Sequence, residues 1–342
     1  MKRKKVLALA GAAVIVFLTG FSIFYVNQKE DEVIPDFVLT YAENQASDYP
    51  TTLGGAYFAR LVNERTGGKV EIRIYDNSVL GDEVSVMKQI QYGGIDFARM
   101  SISTLADIVP SLYILEMPYL YRDSGHMWKV LDGEIGKQLM ETMDNTDIVP
   151  LSWYDAGARS FYFREGPVET LEDLTGKKIR VPESALLIDL MTAVGAVPVP
   201  LAFDKVYSAL ETGQIDGAEN NWPSYDSMRH NEVAPYFVVD EHMRIPELQM
   251  MSRSTWDILP EEYQKVIVEC ARLSANYERS VWKERVDISR KRVIEEGCLE
   301  FLFMKNIVAT RWICYRRSGT CSDQAVVFYK RCGSCDAWTV TS

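Results

Sequence analysis

Residues 203–219, FDKVYSALETGQIDGAE, hold the pattern on which the fold turns. The spacing predicts a helix over 203–213, stopped at Gly213, and a short strand over 215–219. The residues that follow, NNWPSYDSMRHNEV, are too polar for an ordinary core element. They read either as a turn or as a pocket wall of amides and aromatics. A helix, a glycine and a strand in so few residues form the repeating unit of an alternating α/β chain.

The rhythm continues outward. Residues 178–181 (KIRV) predict a strand before Pro182, residues 184–194 a helix, and residues 197–201 an extended segment. Toward the N-terminus, strands are expected at 36–42, 70–75 and 95–101, and helices at 50–65 and 81–92. The first of these helices carries Tyr57, Phe58, Leu61 and Val62 at helical spacing, and the glycine pairs 67–68 and 93–94 end the two helices. Strands at 149–155 and 160–164 complete two α/β batches, connected near 155–160 and 236–250. A run over 261–296 predicts one long helix. Alternation of this kind implies mainly parallel sheets with helices on both faces.

The 342 residues suffice for two domains, and 25% charged residues is a globular value. A net charge of −11 excludes a nucleic-acid ligand, which needs a basic face. The basic stretch 2–5 and the apolar run from Val6 to Val26 predict an exported chain with a signal anchor. Cleavage near residues 25–29 is the alternative, and membrane contact falls to this segment. Cysteines are absent from 27–269, so disulfides do not staple the core.

Arg180, inside a short strand bounded by proline, calls for a carboxylate or phosphate partner because the guanidinium fork suits bidentate pairing, and Arg159 stands out beside it at a turn entering a strand. A structural ion pair and a ligand serve equally well at this point. Glu219, Asn220 and Asn221 fit turn chemistry or a ligand, while Trp222, Tyr225 and Phe161 fit core or stacking surface. Glu83 suits a helix N-terminus or a ligand contact. His126, His230 and His242 lack metal-ligand spacing, and neither a nucleophile elbow nor a phosphate loop is present. No enzyme, metal or cofactor is expected.

Six stretches in register resemble the substrate-binding proteins of tripartite ATP-independent periplasmic (TRAP) transporters, the DctP group. They are Leu80-Gly-Asp-Glu83, Gly93-Gly-Ile-Asp-Phe97, residues 115–121 (LEMPYLY), residues 174–182 (LTGKKIRVP), residues 200–220 and residues 259–264 (LPEEYQ). The resemblance covers about residues 36–298. It implies an α/β, two-lobed periplasmic-binding-protein-like fold with mainly parallel sheets, hinge strands and a long bracing helix. Lobe I would span 36–155 with a returning segment near 240–260, lobe II 156–240, and the brace 261–296.

The same resemblance puts a ligand carboxylate on Arg180 and Arg159 and gives Asn220 a binding role. Residues 219–225, 241–242 and 42–50 look like the subgroup that binds hexuronates such as glucuronate or galacturonate. Gln45, Asp48, Glu83, Asn220, Asn221 and Tyr225 would meet ring hydroxyls, Trp222 or Phe161 the ring face, and His242 joins the site. A C4-dicarboxylate or another organic acid is the rival ligand. TRAP permease membrane subunits are the expected partners, and a sensing module for a separate signalling partner is the rival role. After Cys298 the resemblance stops. Residues 299–342 carry six basic and three acidic residues and four of the six cysteines, as a frameshifted gene end or a truncated homologue would.

Overall fold

The computed structural model describes residues 33–166, 168–302, 328–331 and 338–341. The basic and apolar leader, and most of segment 299–342, therefore lie outside the described residues. The strands are β1 (Phe37–Ala42), β2 (Val70–Tyr75), β3 (Phe97–Ser101), β4 (Ile148–Tyr154), β5 (Arg159–Phe163), β6 (Lys178–Val181), β7 (Val197–Pro200), β8 (Gly217–Asn220), β9 (Tyr236–Met243), β10 (Glu247–Ser252) and β11 (Leu299–Leu302). The two short strands at 328–331 and 338–341 pair antiparallel. The helices are α1 (Pro50–Arg65), α2 (Glu83–Tyr92), α3 (Ile102–Ala106), α4 (Ser124–Leu131) and α5 (Glu134–Glu141). Then come α6 (Ala185–Ala193), α7 (Val206–Glu211), α8 (Trp222–Ser227), α9 (Arg253–Ile258) and α10 (Glu261–Glu295).

Two sheets form two lobes. The first has the order β2-β1-β3-β10-β4 and the second β11-β9-β5-β8-β6-β7. Pairings among β1, β2 and β3, and among β6, β7 and β8, are parallel, as crossover helices demand. The antiparallel pairings of these sheets all involve β5 or β10, the strands that enter a lobe from the other one. The chain crosses between lobes at 155–158 and again at 244–246. At 222–227 the polar stretch is not a bare turn: Asn221 caps a short helix by accepting the Ser224 amide at 2.7 Å. Strand β11 pairs with β9, so the second sheet runs four residues into segment 299–342.

One continuous apolar core joins the lobes through residues 102–143. Met100, Leu112 and Met127 pack in the same cluster as Phe163 and Leu187. Helix α10, 35 residues and roughly 50 Å long at about 1.5 Å per residue, braces both lobes. On the lobe I side it lies against α1, where Gly54 permits the approach, since a Cβ there would sit 2.9 Å from Glu278 Cβ. On the lobe II side Ser289 Oγ donates to Asp226 at 2.7 Å and Arg292 pairs with the same carboxylate at 3.2 Å. The helix also touches the first crossing, because Glu278 accepts the Asp155 amide at 2.9 Å. Gly157 in that crossing has φ +61°, and a Cβ would meet Trp282 Nε1 at 2.9 Å.

Glu116 closes the turn Pro110–Glu116 and is fully buried between the lobes, accepting from Ser184 Oγ at 3.4 Å. Burial pushes its carboxyl from 4.5 up to about 8, so the native state keeps a proton that the unfolded chain releases. Its stabilising contribution is complete below about pH 4.5 and fades as the pH rises to about 8. Glu116→Gln is expected to flatten the decline of Tm between about pH 5 and pH 8, read by thermal unfolding across pH. An unchanged slope would remove Glu116 from this role.

Candidate functional site

Between the lobes lies a cleft with about 730 Å³ of non-atom space, its open mouth included. Its lobe II wall is built on β5, β6 and β8. Arg159, Arg180 and Asn220 line the cleft from these strands, and each is buried. Arg159 is held firmly. Its Nε meets Glu219 Oε2 at 2.5 Å, and its Nη2 meets Glu219 Oε1 at 2.8 Å and the Glu219 carbonyl at 3.0 Å. Behind that pair, His242 Nε2 lies 3.6 Å from Glu219, and His242 Nδ1 lies 2.9 Å from Asp240. Burial alone would neutralise His242, but Asp240 and Glu219 raise it to about 9, so it is an imidazolium. Burial likewise works against the Glu219 anion, yet Arg159 and His242 hold it down to about 2.

Arg180 is different. Its Nε and Nη2 both donate to the Leu201 carbonyl, at 2.8 and 2.6 Å, and no carboxylate pairs with it among the described residues. Only 4% of it is exposed. Burial pulls the guanidinium down to about 10, yet it stays charged at neutral pH. Nearby, His230 bonds Tyr162 Oη at 2.8 Å; burial, then Arg180, depress it to about 3, so it is neutral. Among the described residues this guanidinium thus forms no ion pair and is oriented by a carbonyl, while the exposed Glu183 and Asp204 line the cleft from the same lobe.

The lobe I wall has the opposite balance. Arg99 on β3 receives Glu43 along its Nε–Nη2 edge, Asn44 Oδ1 on Nη2, and both Glu247 Oε2 (2.7 Å) and Glu83 Oε1 (3.5 Å) on Nη1. Three carboxylates thus share one guanidinium. Glu83 is further held by Ser101 N at 3.2 Å, Thr104 Oγ1 at 3.0 Å and Asn44 Nδ2 at 3.0 Å. Burial, and then the Glu247 charge, push its carboxyl up to about 7. Tyr49, at the N-terminus of α1, reaches across to lobe II, where its hydroxyl lies 2.8 Å from Ser224 Oγ and 3.4 Å from Asn221 Oδ1. Its ring meets Trp282 of α10 edge-on at 5.8 Å.

Of the residues singled out from sequence, Arg159, Arg180, Asn220, Asn221, Glu83 and Gln45 converge on this cleft. The others lie elsewhere. Tyr225 is in the lobe II core, donating to the Ala234 carbonyl at 2.7 Å. Trp222 stacks on Phe237 with centroids 3.6 Å apart. Asp48 pairs with Arg285 at 3.2 Å in a separate groove beside α8. His242 stands behind Glu219, and Phe161 stacks on it at 4.4 Å. The aromatic surfaces at the cleft are instead Tyr49, Phe203 and Trp282. Arg99, Asn44 and Glu247 went unnoticed. The signal for Arg99 was available, since a charge inside an apolar strand also marks Arg180.

Arg159 leaves water only because Glu219 accompanies it. Glu219→Ala is expected to cost about 3–5 kcal/mol in urea unfolding, since it strands a buried charge. A loss below about 1 kcal/mol would place the pair outside the stabilising framework.

The family model of bacterial extracellular solute-binding proteins, family 7 (DctP), matches residues 41–306. A solute-binding protein of Chromohalobacter salexigens is 36% identical over 249 residues, 73% of this chain and 74% of that protein. A TRAP periplasmic solute-binding protein from Bradyrhizobium, in complex with galacturonate, superposes with TM-score 0.80 at 36% identity, covering 82% of this chain and 94% of that one. Its counterpart from Pseudomonas putida F1, with bound D-glucuronate, gives 0.80 at 32% identity, covering 82% and 92%. One from Sulfurospirillum deleyianum, with bound succinate, gives 0.77 at 28% identity, covering 82% and 91%.

Proposed function

The chain belongs to the bacterial extracellular solute-binding proteins of family 7, and we propose on that footing that its solute is a hexuronate, D-glucuronate or D-galacturonate. It is a solute-binding protein, and the chemistry of the cleft argues which solute suits it. The observation that carries the reading is Arg180, a buried guanidinium that pairs with no carboxylate among the described residues. A charge taken out of water needs a partner, and a ligand carboxylate supplies one. Arg159 adds a second donor, because Glu219 engages its Nε and Nη2 and leaves Nη1 for the cleft.

The remainder of the ligand is to be uncharged and rich in hydroxyls. The opposite wall offers the oxygens of Glu83 and Glu247 as acceptors, and Asn220, Asn221 and Gln45 provide amides. Phe203 presents a half-buried ring suited to the apolar face of a sugar. A hexuronate combines one carboxylate with a hydroxylated ring and fits both walls at once. Closure of the lobes over it is a hinge motion about the two crossings, and the closed form is the one to be delivered to a TRAP-type membrane permease. The leader supports an exported protein, with anchoring as its further expectation.

The test is thermal unfolding and calorimetry with D-glucuronate, D-galacturonate and D-glucose. A uronate at 100-fold its dissociation constant should add about 2.7 kcal/mol of stability, and glucose nothing measurable. Arg180→Ala should weaken uronate binding at least about 100-fold, the scale for removing one partner of a buried charge pair. Glucose binding as tightly as glucuronate, or undiminished binding by the Ala variant, would overturn the assignment.

A further inference from the structure

We propose that Glu247, seconded by Glu83, is the residue that makes the cleft refuse a second ligand carboxylate, by holding the Nη1 end of Arg99 away from the solute. The inference rests on the uronate reading and explains where its selectivity lies. A guanidinium has five N–H donors, and here each meets an acceptor of the protein. Glu43 takes Nε and one hydrogen of Nη2, Asn44 Oδ1 takes the other, and Glu247 and Glu83 share Nη1.

The two ends of the cleft therefore differ in charge although both contain arginine. Arg180 rests on a single carbonyl and presents its positive charge to a ligand. Arg99 is outnumbered by carboxylates that reach it from three directions. Glu43 follows β1, Glu83 opens α2 and Glu247 opens β10. Asp82 at the cleft rim adds another acidic side chain on the same side. Above about pH 7, where Glu83 joins Glu247 as an anion, a solute carboxylate at this end would face negative charge with no free donor on Arg99, and like charges brought together across an interface are costly. A hydroxyl there donates to Glu83 or Glu247 instead. Specificity is thus enforced by repulsion at one end as well as by attraction at the other.

Asn44 fixes the arrangement. Its Oδ1 faces Arg99 and its Nδ2 donates to Glu83, so the amide orientation follows from its two neighbours. Glu43 is tied to the backbone amides of Asn44 and Gln45 at 2.8 and 3.1 Å and serves the framework. Among the described residues Arg99 is the one hydrogen-bond partner of the Glu247 carboxylate, which lines the cleft and is therefore the replaceable member. Glutamine at 247 and 83 keeps a carbonyl oxygen for Nη1 and removes both charges. Arg99 and Glu43 then balance, and a ligand carboxylate can compete for Nη1.

The experiment compares D-gluconate with D-glucarate by calorimetry, using wild type, E247Q and E83Q/E247Q. The two probes share one acyclic chain and one carboxylate, and differ only where a hydroxymethyl group becomes the second carboxylate. Wild type should bind glucarate at least about 30-fold more weakly than gluconate, on the scale of like-charge discrimination. E247Q should narrow that ratio, and the double variant should bring it to about threefold or invert it. D-glucuronate binding by wild type is measured alongside, and its absence sinks both this proposal and the uronate reading. If wild type binds glucuronate but takes glucarate as well as gluconate, this proposal alone fails. It fails equally if E83Q/E247Q binds glucuronate without any gain for glucarate. Should the double variant not fold, E247Q decides the matter, and an unchanged ratio counts against the proposal.

Discussion

A guanidinium that has left water without finding a counter-ion is the constraint around which this protein is arranged. Arg180 sits on a four-residue strand, one in from the β7 edge of the second sheet, and rests on the carbonyl of Leu201. Any acid within reach would neutralise it, so the neighbourhood is built to supply none. Glu219, the buried carboxylate beside Arg159, is already engaged twice by that arginine and is backed by the His242 imidazolium, while Glu183 and Asp204, which also line this wall, are exposed to solvent. His230 and Tyr162 are neutral. The buried groups of the two walls then divide the work, with the unpaired guanidinium of Arg180 on lobe II and the carboxylates of Glu43, Glu83 and Glu247 around Arg99 on lobe I. The ligand is the element that completes the electrostatics of the folded state.

The mechanical parts carry their own polar chemistry. The first crossing is pinned by Asp155, which takes the Gly157 amide at 2.8 Å and the Trp128 indole at 3.1 Å while donating its own amide to Glu278. Glu278 is a buried acid whose pKa burial raises well above the usual range, so it stays protonated beside Asp155. Register shifts sit next to both crossings, between Arg159 and Phe161 on β5 and at Gln249/Met250 on β10. Bulges loosen a ladder locally while the strands on either side remain paired. A long helix spanning both lobes and two locally irregular strands are the geometry that rotation about the crossings requires.

The elements were legible where periodicity and punctuation agree. Helix α1 at 50–65, strand β2 at 70–75 and strand β6 at 178–181 follow from apolar spacing closed by glycine or proline. Helix α8 was not, because Asn221, Trp222 and Pro223 look like a turn until the cap at Ser224 is seen. In the cleft, the arginines of lobe II stood out as charges in short strands. Arg99 carries the same signal inside Phe97–Ser101, but its partners come from residues 43, 83 and 247, far apart in sequence. Trp222 and Tyr225 show the converse. Polar surroundings in sequence suggested a pocket wall, whereas their rings pack on Phe237 in the lobe II core.

Strand β7, Val-Pro-Val-Pro, ends the second sheet. The amides of Val197 and Leu201 point inward, to the carbonyls of Lys177 and Val181. The outward positions are 198 and 200, and both are proline, so that border has carbonyls but no N–H to offer. A free sheet margin is normally a template on which another chain can add a strand, and proline removes the donors such growth requires. The β7 margin of this lobe therefore resists edge-to-edge polymerisation. That leaves a binding protein free to accumulate at high local concentration without seeding aggregates from its own margin.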